Sequence, residues 1–390
     1  MRVCLIETAV PGSIGSMPRY AGLLEDVLQG ERGVVVRRIA LAPNATSLQR
    51  VPRRLRMAAH HGMIAWHAAS ILRHDPADLY HVLDGSHGYI TRWLPSARTI
   101  VTAHDIIPEL QARGCFPLPP PRLAARWLIR TSLRSVARVA HVMAVSHATA
   151  DDLIRYGNVE RERISVVPLA LPRDFLPTLD QRREDCASRC KAKEPFLLHI
   201  GNNAFYKNRL GVVRVFDRVH EQLPLRLCLA GPPPDAALLD LIRERGLESH
   251  IDFVLDPDDE TVIDLYRSAQ LLLFPSLYEG FGWPPLEAMA WGCPVVCSKQ
   301  GSLPEVVGNA SLVADADDEQ KLSEHCLSII RDRSLALRLT SAGFAQAGEF
   351  SQERLRESVL KVYGAVMNGP NDSRVPSVAF DCLRKCGQAP

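Results

Sequence analysis

Short apolar runs alternate along this chain with longer stretches whose apolar positions recur at helical spacing, the pattern of β-α-β units that build parallel sheets. In the first half, the runs at residues 3–6, 34–39, 79–83, 99–103, 142–145 and 164–167 predict strands. In the second half, residues 196–200, 225–229, 251–254, 271–274, 294–298 and 311–313 do the same. The expected fold class is therefore α/β, with two doubly wound, Rossmann-like units. The pattern breaks over residues 168–195, where prolines interrupt it and residues 180–185 are highly charged. The expected organisation is one domain over 1–175, a linker over 176–194 and a second domain over 195–350. A closing helix over 351–368 is expected to pack back toward the first domain, and an aperiodic tail over 369–390 to be disordered. Ligands of open α/β sheets sit outside the carboxyl ends of the strands, so a cleft between the domains is the expected binding region.

Composition narrows the class. A length of 390 residues exceeds what one core usually organises, and 46% hydrophobic with 23% charged residues is ordinary for a globular protein. No uninterrupted apolar run is long enough to span a bilayer, and Glu7 falls before any signal-peptide core could form, so a cytoplasmic location is expected. Of ten cysteines, Cys4, Cys228, Cys293 and Cys297 lie in apolar runs and read as free thiols. Cys186, Cys190, Cys382 and Cys386 have spacing that could form a four-thiolate zinc site, set against plain unpaired cysteine. The net charge of +2 conceals an asymmetry: residues 1–175 hold 22 Arg, no Lys and 14 acidic residues, and the remainder 24 basic and 30 acidic. An anionic surface or acceptor thus suits the first half, and nucleic acid is not an expected partner.

The densest chemistry lies in Glu279-Gly280-Phe281-Gly282-Trp283-Pro284-Pro285-Leu286-Glu287. It sets one carboxylate on a glycine loop after a strand and another inside a helix opened by two prolines. Free N–H groups and the positive dipole end at such a helix start favour a diphosphate, while each Glu can accept two hydroxyl hydrogen bonds. An ordinary strand-turn-helix with one capping and one solvated Glu is the bland alternative. Earlier, the predicted strand 196–200 runs into Gly201-Asn202-Asn203-Ala204-Phe205-Tyr206-Lys207-Asn208. Lys207 then stands at a helix N-terminus, where a cation opposes the dipole and calls for an anion.

In the first half, strand 99–103 ends at His104-Asp105, placed either to hydrogen-bond a sugar or as a turn-forming Asp beside an incidental His. His81, Asp84 and His87 raise the possibility of a metal site, weighed against acceptor contact and structural polar contacts; strand alternation separates His81 from Asp84. Arginines 122, 126, 130, 134 and 138 recur every four residues around Trp127, with Leu128, Ile129, Leu133 and Val136 opposite. Such a stripe suits either an anionic membrane surface or a solvated helix face.

The runs Phe274 through Gly282, Leu286-Glu287-Ala288-Met289-Ala290, Gly292-Cys293-Pro294-Val295-Val296 and Gly301-Ser302-Leu303-Pro304-Glu305-Val306 resemble the donor-site signature of retaining glycosyltransferases with the GT-B fold, of the family 4 or "group 1" type. The resemblance covers most of the chain from Arg2 to Met367. It implies a first domain for the acceptor, a second for a nucleotide-sugar donor, and a metal-independent, cofactor-free transfer. The sugar nucleotide is then a co-substrate and a saccharide or lipid-linked saccharide the acceptor. By the same resemblance Glu287 holds ribose hydroxyls, Glu279 sugar hydroxyls and Gly282 a phosphate through its amide. Gly280, Phe281, Gly201, Asn202 and Asn203 shape the donor turns. Lys207 binds the diphosphate, although no Arg precedes it and Arg209 follows two residues later. His104 touches the donor sugar, and Gly15 belongs to the glycine loop after strand one. Asp84, Asp105 and Tyr89 are candidate acceptor contacts. Mannose from GDP-mannose is the expected donor, in polysaccharide or O-antigen assembly. A nucleotide-sugar epimerase or hydrolase of the same fold and a non-catalytic sugar-nucleotide scaffold are the alternatives.

Overall fold

The computed structural model describes residues 1–11, 15–43, 51–177 and 194–369. Four of the cysteines, Cys186, Cys190, Cys382 and Cys386, lie outside the described residues, as do residues 12–14 of the glycine loop, most of the predicted linker and nearly all of the predicted tail. The chain divides into two compact units: Met1–Ala170 joined by the final helix, and Leu171–Ser351.

The first unit is a parallel sheet of β1 (Arg2–Glu7), β2 (Val35–Ala40), β3 (Leu79–Val82), β4 (Thr99–Ala103), β5 (His141–Ala144) and β6 (Ile164–Val166). Its order is β2-β1-β3-β4-β5-β6. The inner strands β3, β4 and β5 are buried at every position, including the polar His81, Thr99, Thr102 and His141, whereas edge strand β2 exposes Arg37 and Arg38. Arg38 pairs with Glu7 on β1 and with Glu25 on helix α1 (Ser16–Leu28), both at 3.1 Å. Helix α1 buries Tyr20, Leu24, Val27 and Leu28, one face at helical spacing. Then come α2 (Arg56–His74), α3 (Ile107–Ala112), α4 (Leu123–Val136) and α5 (His147–Gly157). Ser146 caps α5 by accepting from Thr149 N at 3.1 Å, and Asn158 ends it in the left-handed region at φ 54°.

The second unit holds β7 (Phe196–Ile200), β8 (Arg226–Gly231), β9 (Ile251–Leu255), β10 (Leu271–Phe274), β11 (Val295–Ser298) and β12 (Ser311–Ala314). All are parallel, in the order β12-β11-β10-β7-β8-β9. Its helices are α6 (Arg209–His220), α7 (Ala236–Glu244), α8 (Asp259–Ser268), α9 (Trp283–Ala290), α10 (Leu303–Val307), α11 (Glu319–Arg331) and α12 (Arg333–Gly348). Leu197, Leu227, Leu271 and Val296 from the sheet pack with Phe216 and Val219 of α6 and Leu322 and Cys326 of α11. Asp235, Asp258 and Asp318 cap α7, α8 and α11 through the N–H three residues on.

The final helix, α13 (Gln352–Asn368), belongs to the first unit. There Tyr363 Oη lies 2.7 Å from His81 Nδ1 inside the sheet's flank. Cys4, Cys228, Cys293 and Cys297 are buried free thiols, and burial pushes the thiols of Cys4, Cys228 and Cys297 up to about 12, leaving them unreactive. No helix among the described residues is long and apolar enough to cross a membrane.

In both sheets the order of connection reverses where ligands of this fold class bind: between β1 and β3 in the first unit, and between β7 and β10 in the second.

Candidate active site

In the second unit the two strands flanking the reversal deliver the two richest motifs. The loop after β7 carries Gly201 to Asn208, and the loop after β10 carries Glu279 to Gly282. Leu277 N donates to Tyr206 O at 2.7 Å and joins them. Across this junction Lys207 Nζ reaches Glu279 Oε1 at 2.7 Å, with side chains only 13% and 9% exposed. The anion that Lys207 calls for is thus met by a carboxylate of the same unit. The ammonium also lies 5.1 Å from the Phe274 ring centroid.

Lys207 closes a single helical turn, and Asn208, in the left-handed region at φ 53°, caps α6 by accepting from Gly211 N at 3.2 Å. Asn202 Oδ1 accepts from Ala204 N and Asn203 Nδ2 donates to Pro233 O, so both asparagines brace the turn. Arg209, the first residue of α6, donates through Nη1 to Asn203 Oδ1 and to Pro232 O. It is 6% exposed, and its Nε and Nη2 have no hydrogen-bond partner among the described residues.

The β10 loop is held from below. Ser302 N and Oγ both donate to Glu279 O at 3.0 Å, and Oγ also reaches Phe281 O at 2.7 Å. Gly301, at φ +62°, comes so near the Glu279 backbone that a Cβ there would overlap it. Gly282 caps α9 at φ +102°. Pro284 and Pro285 occupy the first turn of α9 and remove two of the N–H groups that the sequence pattern led one to expect there. Backbone donors must come from Trp283 and the Gly280, Phe281 and Gly282 amides. Glu287, inside α9 and 2% exposed, accepts from Tyr266 Oη at 2.8 Å through Oε2.

Sequence reasoning overlooked His199, the fourth residue of β7. It donates from Nδ1 to Leu273 O at 3.0 Å and turns Nε2 toward Gly201. Burial, with the nearby Arg209 and Lys207 charges, pushes it down to about 3, so the ring beneath the lysine turn is neutral. Its position in a strand otherwise built of apolar residues was the available signal.

In the first unit, His104 leaves the end of β4 and donates from Nε2 to Leu83 O at 2.9 Å, with the Tyr20 ring edge-on at 4.8 Å. Burial lowers its pKa against the opposing pull of Asp84, so the ring is neutral with Nδ1 as an acceptor. Asp105 Oδ1 accepts from Ile107 N at 2.9 Å and starts α3, the turn-forming role.

Asp84, after β3, caps the helical turns Gly85–Trp93, accepting from Ser86 N at 2.8 Å. Its Oδ2 meets His87 Nδ1 at 3.1 Å. Burial would raise the carboxyl, but hydrogen bonding and charge from His87, with His104 and Ser86, hold it well below the usual range. Tyr89 is buried with Oη 3.0 Å from His61 Nδ1. His60 and His61, adjacent on α2, complete a group of imidazoles with His87 that the sequence did not single out.

His81 stands apart, with Nδ1 on Tyr363 Oη and Nε2 2.7 Å from Thr102 Oγ1; Tyr20 Oη, 2.9 Å from that same oxygen, extends the chain toward His104. Gly15, at φ +150°, caps α1. The arginine stripe spans α4 and both its ends. Arg122 is the cap and Arg138 lies beyond the last turn, while Trp127 is 66% and Leu123 79% exposed.

Two doubly wound units, each with polar loops where its strand order reverses, are the architecture of the GT-B fold. Residues 180–346 match the family described as "Glycosyl transferases group 1", and residues 23–174 match "Glycosyltransferase Family 4". The O-antigen chain mannosyltransferase B of Escherichia coli is 32% identical over 292 residues, 73% of this chain and 74% of that protein. The chain belongs to this family of group 1, family 4 glycosyltransferases. Among solved structures, sucrose-phosphate synthase from Thermosynechococcus elongatus aligns with TM-score 0.74 at 19% identity, covering 93% of this chain and 98% of its own. HepE of Anabaena in complex with UDP-glucose aligns with TM-score 0.69 at 17% identity over 93% of this chain and 99% of its own.

Proposed function

We propose that the protein transfers mannose from GDP-mannose to a saccharide or lipid-linked saccharide in O-antigen or related polysaccharide assembly, retaining the anomeric configuration and using no metal ion. The observation that carries this reading is the Lys207–Glu279 pair at the reversal point of the second sheet. A sugar diphosphate can divide such a couple, its phosphates taking the ammonium and its sugar hydroxyls the carboxylate. The mannosyltransferase relative and the UDP-glucose complex of HepE support the choice of donor class and sugar.

In this reading the negative charge that grows on the departing diphosphate is met by Lys207, by the Arg209 guanidinium as the second cation, and by the Gly282 amide. In this reading those groups supply the positive charge that a divalent ion otherwise provides. Glu287 holds the ribose and His104 the transferred sugar. The leaving phosphate oxygen takes the acceptor's proton on the face it vacates, so the configuration is retained without a separate base. Transfer takes place in the cytoplasm, and the α4 arginines bring the protein to an anionic membrane surface where lipid-linked acceptors lie.

A thermal-shift panel of GDP-, UDP- and ADP-sugars tests the donor, because a ligand at 100 times its dissociation constant stabilises the folded state by about 2.7 kcal/mol. GDP-mannose should give the largest shift, and the one-bond carbon–hydrogen coupling at the product's anomeric centre should report the donor's configuration. An inverted product removes the front-face mechanism, and a larger shift with UDP- or ADP-sugars replaces the donor.

A further inference from the structure

Four polar side chains in the core of the first unit form a hydrogen-bonded chain that runs from the final helix to the ring of His104. Tyr363 Oη on α13 lies 2.7 Å from His81 Nδ1 on β3, and His81 Nε2 lies 2.7 Å from Thr102 Oγ1 on β4. Tyr20 Oη on α1 lies 2.9 Å from the same Thr102 oxygen, and the Tyr20 ring meets the His104 ring edge-on, 4.8 Å between centroids at 81°. All four residues are at most 1% exposed. None of these side chains has a further hydrogen-bond partner among the described residues. His104 is itself held through Nε2, which donates to Leu83 O at 2.9 Å, leaving the Tyr20 ring to limit how the imidazole tilts about that bond.

The chain carries one proton more than it can use. Tyr363, Thr102 and Tyr20 each bring a hydroxyl proton, and His81, kept neutral by burial that holds it down to about 3, brings one ring proton. Three contacts use three of these four protons. With the His81 proton on Nδ1, Tyr20 donates to Thr102, Thr102 to Nε2, and Nδ1 to Tyr363. With it on Nε2, Tyr363 donates to Nδ1 and Nε2 to Thr102, so that Thr102 and Tyr20 share one contact between two protons. Either way a buried hydroxyl proton is left without an acceptor, which costs stability. Apolar side chains of the same shape would avoid that cost, so stability alone does not select four polar groups here. We propose that Tyr363, His81, Thr102 and Tyr20 are positioning residues for His104: the chain locks the Tyr20 ring, and that ring sets the imidazole whose Nδ1 accepts from the transferred sugar. The inference rests on the proposed function for His104 touching that sugar.

Thr102→Val cuts the chain at its middle and Tyr363→Phe at its far end, each removing a hydroxyl and keeping the shape of the side chain; if one variant fails to fold, the other decides. The first readout is nitrogen NMR of the full chain, labelled in its histidine rings and free of donor. The His104 ring signals, assigned by their loss in His104→Ala, should move in both variants while those of His199 and His220 in the second unit stay. Unmoved His104 signals in a folded variant overturn the proposal whatever the turnover. The second readout is steady-state transfer from GDP-mannose. Here kcat should fall about three- to tenfold, the worth of one buried hydrogen bond, with KM for the donor little changed. In a His104→Ala background the same two substitutions should cost no further turnover, because a chain that works through His104 then has nothing to act on. An equal fall in that background gives the four residues a purely structural role and overturns the proposal. Moved His104 signals with unchanged turnover keep the positioning and remove His104 from the sugar. Absence of transfer from GDP-mannose removes the mannosyl reading and leaves the His104 signals to decide.

Discussion

Lys207 and Glu279 meet as ammonium and carboxylate at 2.7 Å, largely out of water, so each is the other's compensating charge. Removing one partner strands its mate. Lys207→Ala should therefore lower folding stability by roughly 3 kcal/mol in the absence of ligand. It should also cut kcat more than it raises KM, because the lost charge serves a departing diphosphate. Denaturation curves and steady-state kinetics on one preparation check both, and a change in KM alone would confine Lys207 to ground-state binding. Lys207→Arg should restore little, since a planar fork does not replace a point charge at a tight turn. Spacing and residue type mark both residues in the sequence, but not their pairing. Seventy-two positions separate them, and only the adjacency of β7 and β10, a matter of sheet order, brings their loops together. The same holds for His60, His61 and His87, which local periodicity leaves as unrelated polar positions on two elements.

At the scale of elements the sequence was far more legible. All twelve predicted strands are present with ends displaced by at most two residues, because strands buried on both faces are dominated by apolar residues and even the exposed edge strands β2 and β9 keep a short run of β-branched and apolar positions. Helix ends were less so. The α4 stripe runs past the helix at both ends, since periodicity in arginine continues where backbone hydrogen bonding stops. Gly282→Ala tests the join between loop and helix in α9. Its φ of +102° disfavours any side chain, and a Cβ would come within 2.8 Å of Leu303 Cδ2. A loss of about 1–3 kcal/mol in denaturant titration is expected, together with weaker nucleotide binding. The α4 helix carries its own prediction. If its arginines engage anionic lipid, each contributes about 1 kcal/mol near the surface. Replacing Arg126, Arg130 and Arg134 with Gln should then abolish vesicle flotation at low salt and spare activity on a soluble acceptor. Wild-type protein that ignores such vesicles would leave the stripe as a solvated face.

The whole molecule has an acid weakness written into both cores. Burial holds His81 and His199 down to about 3 and His141 to about 4. Below the ordinary histidine range near 6.5 the unfolded chain takes up protons that these rings refuse. Stability supplied by the three is therefore complete above about pH 6.5 and declines as pH falls toward 4, by at most about 1.4 kcal/mol per pH unit for each ring. Melting temperature followed from pH 7.5 to 4.5 should fall steadily, and His199→Asn should lessen the slope; an unchanged slope in that variant would mean the ring is protonated in the native protein.

The hydrogen bond between Tyr363 and His81 also has a consequence in time. On a ribosome, Tyr363 emerges only after the whole of Leu171–Ser351 has been made, which at about 5–20 residues per second is a delay of roughly ten to forty seconds. Throughout that interval the nascent first unit has His81 Nδ1 without its mate and lacks the flank that α13 covers. The described part of the second unit, Leu171–Ser351, is one continuous stretch, has no such wait and can close as it emerges. The part of the protein begun first is the part finished last.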